Sequence, residues 1–168
     1  MNLFAGRGRP GRVWIFCDGG LGTAEYGGAR TGPKSYCGCG SLVRGDDGRV
    51  LDWAWRALPM MTNNEAEYAG LRLGMELARR HSAQLTIFVL DSEVVVGQME
   101  GRFAVNSAGL RRCHAQAQRT LRGLGRVQFC LAPRAYNTLA DALAREAGIP
   151  WSDLRGFLEH ALPGVAVP

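Results

Sequence analysis

The chain has 168 residues, of which 46% are hydrophobic and 21% charged, a composition typical of a single globular domain and unlike that of a disordered chain. No apolar run reaches the roughly 18 residues that cross a bilayer, and a chain of this length folds without disulfides, which argues against a membrane protein and a disulfide scaffold. The net charge of +5 comes almost entirely from arginine, which binds phosphate well, although a solvated basic surface explains this charge equally well.

The predicted elements begin after a flexible basic arm, residues 1–12, in which three arginines lie among glycines. A short apolar run over 13–17 predicts a buried strand, which we expect to end at the turn signal Asp18-Gly19-Gly20. A glycine-rich loop follows over 21–35. Its Arg30 and Lys34 either contact a substrate or belong to the ordinary surface.

The remaining elements predict one α/β domain over residues 13–148. Gly45-Asp46-Asp47-Gly48 is a strong hairpin signal between two of its strands. In chain order we expect strands 37–44 and 49–56, a helix 63–81, a strand 84–90, helices 92–100 and 107–122, a strand 126–131 and a helix 137–147. The order β-β-β-α-β-α-β-α predicts a five-stranded mixed sheet with helices on both faces.

Two features of the chain carry little structural information. Residues 149–168 have no clear periodicity and stay an unassigned C-terminal tail. The five cysteines are scattered and odd in number, which predicts free thiols, a reducing cytoplasm and no complete zinc site.

Three aspartates lie where a solvated acid is not expected. Asp18 follows the first strand, Asp91 follows the strand over 84–90, and Asp141 lies in the first turn of the last helix. Each has an ordinary alternative: Asp91 can cap the next helix, and Asp141 can complement a helix dipole. Taken singly, none of them identifies a site.

The helix over 63–81 separates two glutamates. Glu65 and Glu67 lie about 200° apart around the axis, so they face different surroundings. Glu65 is on the solvent side and completes a capping box with Thr62. Glu67 shares its face with small and apolar residues, where an acid is unfavourable unless something neutralises its charge. These residues are Gly70, Leu71, Gly74 and Ala78.

Four acids from separate elements can converge in the fold. Converging carboxylates repel one another unless a cation lies between them, and oxygen ligands favour Mg²⁺ or Mn²⁺ over zinc. Two such ions about 4 Å apart can catalyse phosphoryl transfer.

In these motifs the chain resembles a type 1 ribonuclease H, in the compact form that lacks a basic protrusion. The resemblance runs in order along residues 13–148. The motifs that carry it are Asp18-Gly19-Gly20, Thr62-Asn63-Asn64-Glu65-Ala66-Glu67-Tyr68, Asp91-Ser92, Pro133-Arg134-Ala135-Tyr136-Asn137 and Ala140-Asp141-Ala142-Leu143-Ala144.

The resemblance implies an endonuclease that cuts the RNA strand of an RNA/DNA hybrid and leaves 5′-phosphate and 3′-hydroxyl ends. It implies two Mg²⁺ or Mn²⁺ ions held by Asp18, Glu67, Asp91 and Asp141. Gly19, Asn63 and Asn64 would read the minor groove, Thr62 would hold a DNA phosphate, and Arg134 and Asn137 would line the site. The two asparagines can instead serve the turn and the helix start. We expect a monomer without an obligate protein partner.

The chain departs from the family pattern before its last helix. Many relatives carry a histidine in the loop at that position, and here Arg134 takes its place or the role is absent. Arg102, Arg111 and Arg112 fit the family's basic segment loosely and are candidate backbone contacts.

Two other functions remain open at this point. A module that binds hybrids or double-stranded RNA without catalytic activity would be expected to have lost an acid, and all four are present. Another metal-carboxylate nuclease, an exonuclease or a resolvase, would not need Thr62-Asn63-Asn64, because it does not read a 2′-hydroxyl beside a DNA strand.

Overall fold

The computed structural model describes residues 11–21 and 37–146. Most of the predicted arm, nearly all of the loop over 21–35 and the whole of the tail over 149–168 lie outside these ranges. The described strands are β1 Arg12–Leu21, β2 Cys37–Gly45, β3 Val50–Leu58, β4 Leu85–Leu90 and β5 Arg126–Leu131. The described helices are α1 Asn63–Ala78, α2 Glu93–Met99, α3 Ala108–Leu121 and α4 Thr138–Glu146, with a 3-10 turn at Arg134–Tyr136.

The five strands form one mixed sheet in the order β3-β2-β1-β4-β5. The β1–β2 and β2–β3 pairs are antiparallel, whereas β1–β4 and β4–β5 are parallel. The predicted mixed sheet is therefore confirmed, and β1 is its central strand.

Helices cover both faces of the sheet, as expected. Val13, Ile15 and Cys17 of β1 belong to the core on the side of α1, whereas Phe16 packs against a second cluster that contains residues of α4. Successive strand residues point to opposite faces, so Asp18 lies on the same face as Phe16. The residues 100–107 between α2 and α3 contain no further helix or strand. No helix in the described ranges combines the length and apolar character of a membrane span.

The expectation that the first strand ends at Asp18 is wrong. β1 continues to Leu21, because Gly19 and Gly20 stay paired with Cys39 and Gly38 of β2. A partner strand supplies hydrogen bonds that outweigh the local turn preference of two glycines. The strand also begins earlier than predicted, since Arg12 already belongs to it.

The first turn of α1 has the predicted cap. Thr62 accepts a hydrogen bond from the Glu65 backbone N–H, and the Glu65 carboxylate accepts one from the Thr62 backbone N–H at 3.0 Å. The helix ends at Ala78, three residues before the predicted end at His81. Glu67 lies on the buried face, with Gly70 and Gly74. The cap fixes where the helix starts, and it therefore fixes the direction of Glu67.

Candidate active site

Three of the four predicted acids converge at one point of the sheet. Asp18, Glu67 and Asp91 each place a carboxylate oxygen within 4.8 Å of the others. The register of β1 and β4 explains two of them. Phe16 is level with Val89 in these parallel strands, so Asp18 and Asp91, each two residues further on, reach the same level on the same face. Glu67 approaches from α1, which packs on β1.

Close contact between α1 and β1 brings Glu67 to the aspartates. A side chain at Gly70 would overlap the backbone carbonyl group of Asp18, and one at Gly19 would overlap the backbone of Ala66. Both positions therefore need glycine. Without this close approach the Glu67 carboxylate would lie farther from β1.

The convergence changes the protonation of the site. Burial is the main reason why the pKa of Asp18 rises to about 7, and the charges of Asp91 and Asp141 raise it further. Burial also raises the pKa of Glu67 to about 9, with added repulsion from Asp18 and Asp91. The backbone N–H of Gly19 and the charge of Arg134 offset part of both effects. A neighbouring cation would favour the ionised form of both groups.

The fourth acid, Asp141, is adjacent to this group. Its side chain is buried and forms an ion pair with Arg134, whose side chain is 69% exposed. The charge of Asp141 also raises the pKa of Asp18. Arg134 therefore lies between a buried acid and solvent, at the rim of the site.

Asn137 holds Asp91 in place. Its Nδ2 donates hydrogen bonds to the Asp91 carboxylate at 3.2 Å and to the Cys17 carbonyl oxygen at 2.9 Å. The side chain is 1% exposed, so it contacts protein rather than solvent. The sequence predicted a residue lining the site, and no local signal indicated a bond to an acid 46 positions away.

The remaining predicted residues lie at the start of α1 beside β1. Asn63 and Thr62 are exposed and Asn64 is half-buried. The Asn63 side chain lies next to Gly20, which follows Gly19 and Asp18 in β1. The Thr62 hydroxyl donates to Glu65 at 2.8 Å. This polar surface therefore adjoins the three carboxylates.

The donor set fits a hard divalent cation. Every ligand atom of the group is a carboxylate oxygen, which Mg²⁺ and Mn²⁺ prefer. The Glu67 Oε2 atom is buried and has no hydrogen-bond partner among the described residues. A buried carboxylate oxygen without a partner is unfavourable, and a cation would remove that penalty.

Comparison with known proteins agrees with this geometry. A family model described as reverse transcriptase-like matches residues 25–147. The RNase H1 structure from Halobacterium salinarum is 31% identical, covers 82% of this chain and 97% of its own, and has a TM-score of 0.70. The chain belongs to the ribonuclease H family.

Further ribonuclease H relatives match the same region. The bifunctional protein Rv2228c of Mycobacterium tuberculosis is 38% identical over 124 residues, which are 73% of this chain and 34% of that protein. The present chain thus spans about a third of that relative. The solved N-terminal RNase H domain of Rv2228c covers 81% of this chain and 92% of its own, at 36% identity and a TM-score of 0.69. LC11-RNase H1, solved in complex with an RNA/DNA hybrid, is 27% identical, covers 80% of this chain and 95% of its own, and has a TM-score of 0.68.

Proposed function

We propose that this protein is an endonuclease that hydrolyses the RNA strand of RNA/DNA hybrids. The observation that carries the proposal is the convergence of Asp18, Glu67 and Asp91 within 4.8 Å beside the polar start of α1. Buried carboxylates at this separation are stable when a proton or a cation neutralises them, and a cation held by carboxylates suits phosphodiester hydrolysis. Membership of the ribonuclease H family and the hybrid bound to LC11-RNase H1 support this substrate.

The proposed cofactor is Mg²⁺ or Mn²⁺, with two ions per site held by Asp18, Glu67, Asp91 and Asp141. Bound there, the ions would supply activation of a water molecule and stabilisation of the leaving oxygen, and hydrolysis would leave 5′-phosphate and 3′-hydroxyl ends. Asn137 acts as a positioning residue, because its hydrogen bond fixes the rotation of the Asp91 carboxylate. The close packing of α1 on β1 keeps the Glu67 carboxylate directed at the two aspartates.

The groups around the carboxylates are proposed to contact the substrate. Asn63, Asn64 and the Gly19 backbone are proposed to contact the minor groove, where 2′-hydroxyls distinguish RNA from DNA. Thr62 is proposed to hold a DNA phosphate. The exposed guanidinium of Arg134 is proposed to contact a phosphate at the rim of the site.

The decisive experiment is cleavage of an end-labelled RNA/DNA hybrid in Mg²⁺, with duplex DNA and duplex RNA as controls. We expect internal cuts in the RNA strand of the hybrid alone. The variant Asp91→Asn should fold and lose nearly all turnover, whereas Glu93→Gln, two residues away on the exposed side of α2, should stay active. Stepwise shortening from one end, or cleavage that survives Asp91→Asn, would contradict the proposal.

Two broader expectations are also part of the proposal. We propose that the protein acts as a monomer, without an obligate protein partner, and that it works in the cytoplasm. Sedimentation of the purified protein tests the first, and microscopy of a tagged protein in its native cells tests the second.

A further inference from the structure

Residues 101–140 have an unusual charge pattern. This segment carries seven arginines and neither aspartate nor glutamate, whereas the whole chain has a net charge of only +5. Acidic residues therefore outnumber basic ones in the rest of the chain. A solvent-facing helix ordinarily mixes both signs, because opposite charges three or four residues apart stabilise it. Helix formation does not account for this excess of positive charge.

Helix α3 and Arg122, the residue that directly follows it in helical conformation, present part of the charge on one exposed face. Arg112, Arg119 and Arg122 are all exposed, and their spacing places them within about 100° around the helix axis. Ala108 and Ala115 line an open groove beside Arg112 and Arg119. We call Arg112, Arg119 and Arg122 the arginine face.

The three guanidinium groups of the arginine face form no hydrogen bond or ion pair with the described side chains. Other exposed arginines of the fold do form ion pairs, such as Arg49 with Asp47 and Arg56 with Glu76. Arg111 also differs, because it donates to the carbonyl oxygens of Val105 and Asn106 and so secures the turn before α3. The arginine face is therefore available to bind an external anion.

The arginine face starts beside the proposed hybrid-binding edge. A side chain at Gly109, in the first turn of α3, would overlap the Glu65 carboxylate in the first turn of α1. The two helices then run side by side in the same direction, since Arg72 donates to Gln116 at 2.7 Å and Arg79 donates to the Thr120 carbonyl oxygen at 3.3 Å. Their first turns therefore lie together at the edge that carries Asn63 and Asn64.

The length of the arginine face matches several phosphates. The helix rises about 15 Å between Arg112 and Arg122, which is about four nucleotide steps of one strand. A guanidinium binds a phosphate through two parallel hydrogen bonds and needs no particular base. Arg112 lies near the first turn of α1, and Arg119 and Arg122 extend the charge away from the cleavage site.

We propose that the arginine face is a second nucleic-acid binding surface, which holds the phosphate backbone of the duplex that flanks the cleaved segment. The identity of this ligand as the hybrid substrate rests on the proposed function. Contacts of this kind depend on the phosphate charge and not on the base sequence or the sugar. The arginine face therefore binds a hybrid and a DNA duplex with similar affinity.

The test compares the full chain with its double variant Arg119→Gln and Arg122→Gln. The equilibrium binding of each protein to fluorescent duplexes is measured in EDTA, where no cleavage occurs. Glutamine keeps the helix propensity of arginine. For a hybrid of about 30 base pairs we expect the double variant to bind about tenfold more weakly. We also expect the slope of log Kd against log salt concentration to be shallower by about 0.9 for each phosphate that the variant no longer neutralises. A duplex DNA of the same length should lose affinity equally. A hybrid of about 10 base pairs, which covers the cleavage site alone, should change by less than about twofold.

The matched control is Arg49→Gln with Arg56→Gln, which removes the same charge from another part of the surface. It should leave both the affinity and the salt dependence unchanged. Equal losses in the two double variants would indicate a general charge effect and would overturn the proposal, as would unchanged binding by the Arg119 and Arg122 variant. Cleavage by the unaltered protein is measured separately. If that protein cuts no hybrid but the two double variants still differ in affinity, the proposed function is wrong and the binding role of the arginine face is still supported.

Discussion

Asn137 connects the start of the last helix to two strands of the sheet. Its amide donates to Asp91 and to the Cys17 carbonyl oxygen, and its side chain is completely enclosed. Removing the amide frees the Asp91 carboxylate to rotate. We expect Asn137→Ala to weaken Mg²⁺ binding by about 10- to 100-fold, as measured by calorimetry and by the Mg²⁺ concentration that gives half-maximal cleavage.

Asn106→Ala is the control for this prediction, because Asn106 is exposed and lies in the turn before α3. It should leave Mg²⁺ affinity unchanged. Unaltered Mg²⁺ affinity in a folded Asn137→Ala protein would show that Asp91 does not depend on this hydrogen bond.

Glu67 gives the metal-free protein a distinct pH dependence. Its pKa rises to about 9 on folding, mainly through burial, from an ordinary value of 4.5. Between about pH 5 and pH 9 the folded state therefore holds a proton that the unfolded state has lost, so the free energy of unfolding falls as pH rises. Glu67→Gln cannot ionise, and in EDTA at pH 9 we expect its free energy of unfolding to exceed that of the original protein by on the order of 5 kcal/mol.

Urea unfolding at several pH values measures this difference. At pH 5 the two proteins should have nearly the same stability, because Glu67 is then protonated when folded. Glu93→Gln, on the exposed side of α2, should not alter the pH slope. Parallel curves for the Glu67→Gln and original proteins would contradict the prediction.

Sequence reasoning separated Glu67 from Glu65, because helical spacing alone assigns the two residues to different faces. It did not reveal the Asn137–Asp91 hydrogen bond or the Arg134–Asp141 ion pair. The first of these crosses between elements whose relative placement depends on the whole sheet. The second depends on the 3-10 turn that carries Arg134, and no local pattern predicted this turn.

At the scale of elements, the contact between β1 and α1 tolerates no added atoms. A methyl group at Gly70 would overlap the Asp18 backbone, which is held by pairing with Gly40 of β2. We expect Gly70→Ala to destabilise the fold by about 1–3 kcal/mol and to lower activity further by moving α1 from the aspartates. Gly125→Ala is the control, since no atom lies within 4 Å of the added group. Equal unfolding midpoints for the two variants would contradict this interpretation.

The bounds of the strands were predictable to different degrees. β5 was expected over 126–131 and is found at Arg126–Leu131, and the hairpin between β2 and β3 lies where its glycines and aspartates predicted. The end of β1 was misplaced. Turn signals describe the preference of an isolated segment, whereas the ladder with β2 supplies hydrogen bonds to Gly19 and Gly20 that no local pattern contains.

At the scale of the whole molecule, cation binding should stabilise the fold. The folded protein gathers buried carboxylates that the unfolded chain disperses, so Mg²⁺ binds the folded state preferentially. We expect EDTA to lower the Tm and Mg²⁺ to raise it, with about 2.7 kcal/mol gained at 100 times the Kd. Asp91→Asn should weaken this response, and an equal Mg²⁺ shift in that variant would mean that the ion binds elsewhere.

The element order indicated a mixed sheet, but not which strands are neighbours. The pairing of β1 with β4 brings Asp18 level with Asp91, and these residues are far apart in the chain. Four acids after or within predicted elements suggested convergence. The contact between Asp18 and Asp91 depends on a strand register that only the folded sheet defines.

The bond from Asn137 to Asp91 also has a consequence for protein synthesis. A chain emerging from the ribosome contains Asp18, Glu67 and Asp91 long before Asn137 and α4 are made. The strand β5 and the start of α4 must leave the exit tunnel before Asp91 is held in place. We therefore expect the nascent chain to bind Mg²⁺ weakly until α4 has emerged and Asn137 holds Asp91.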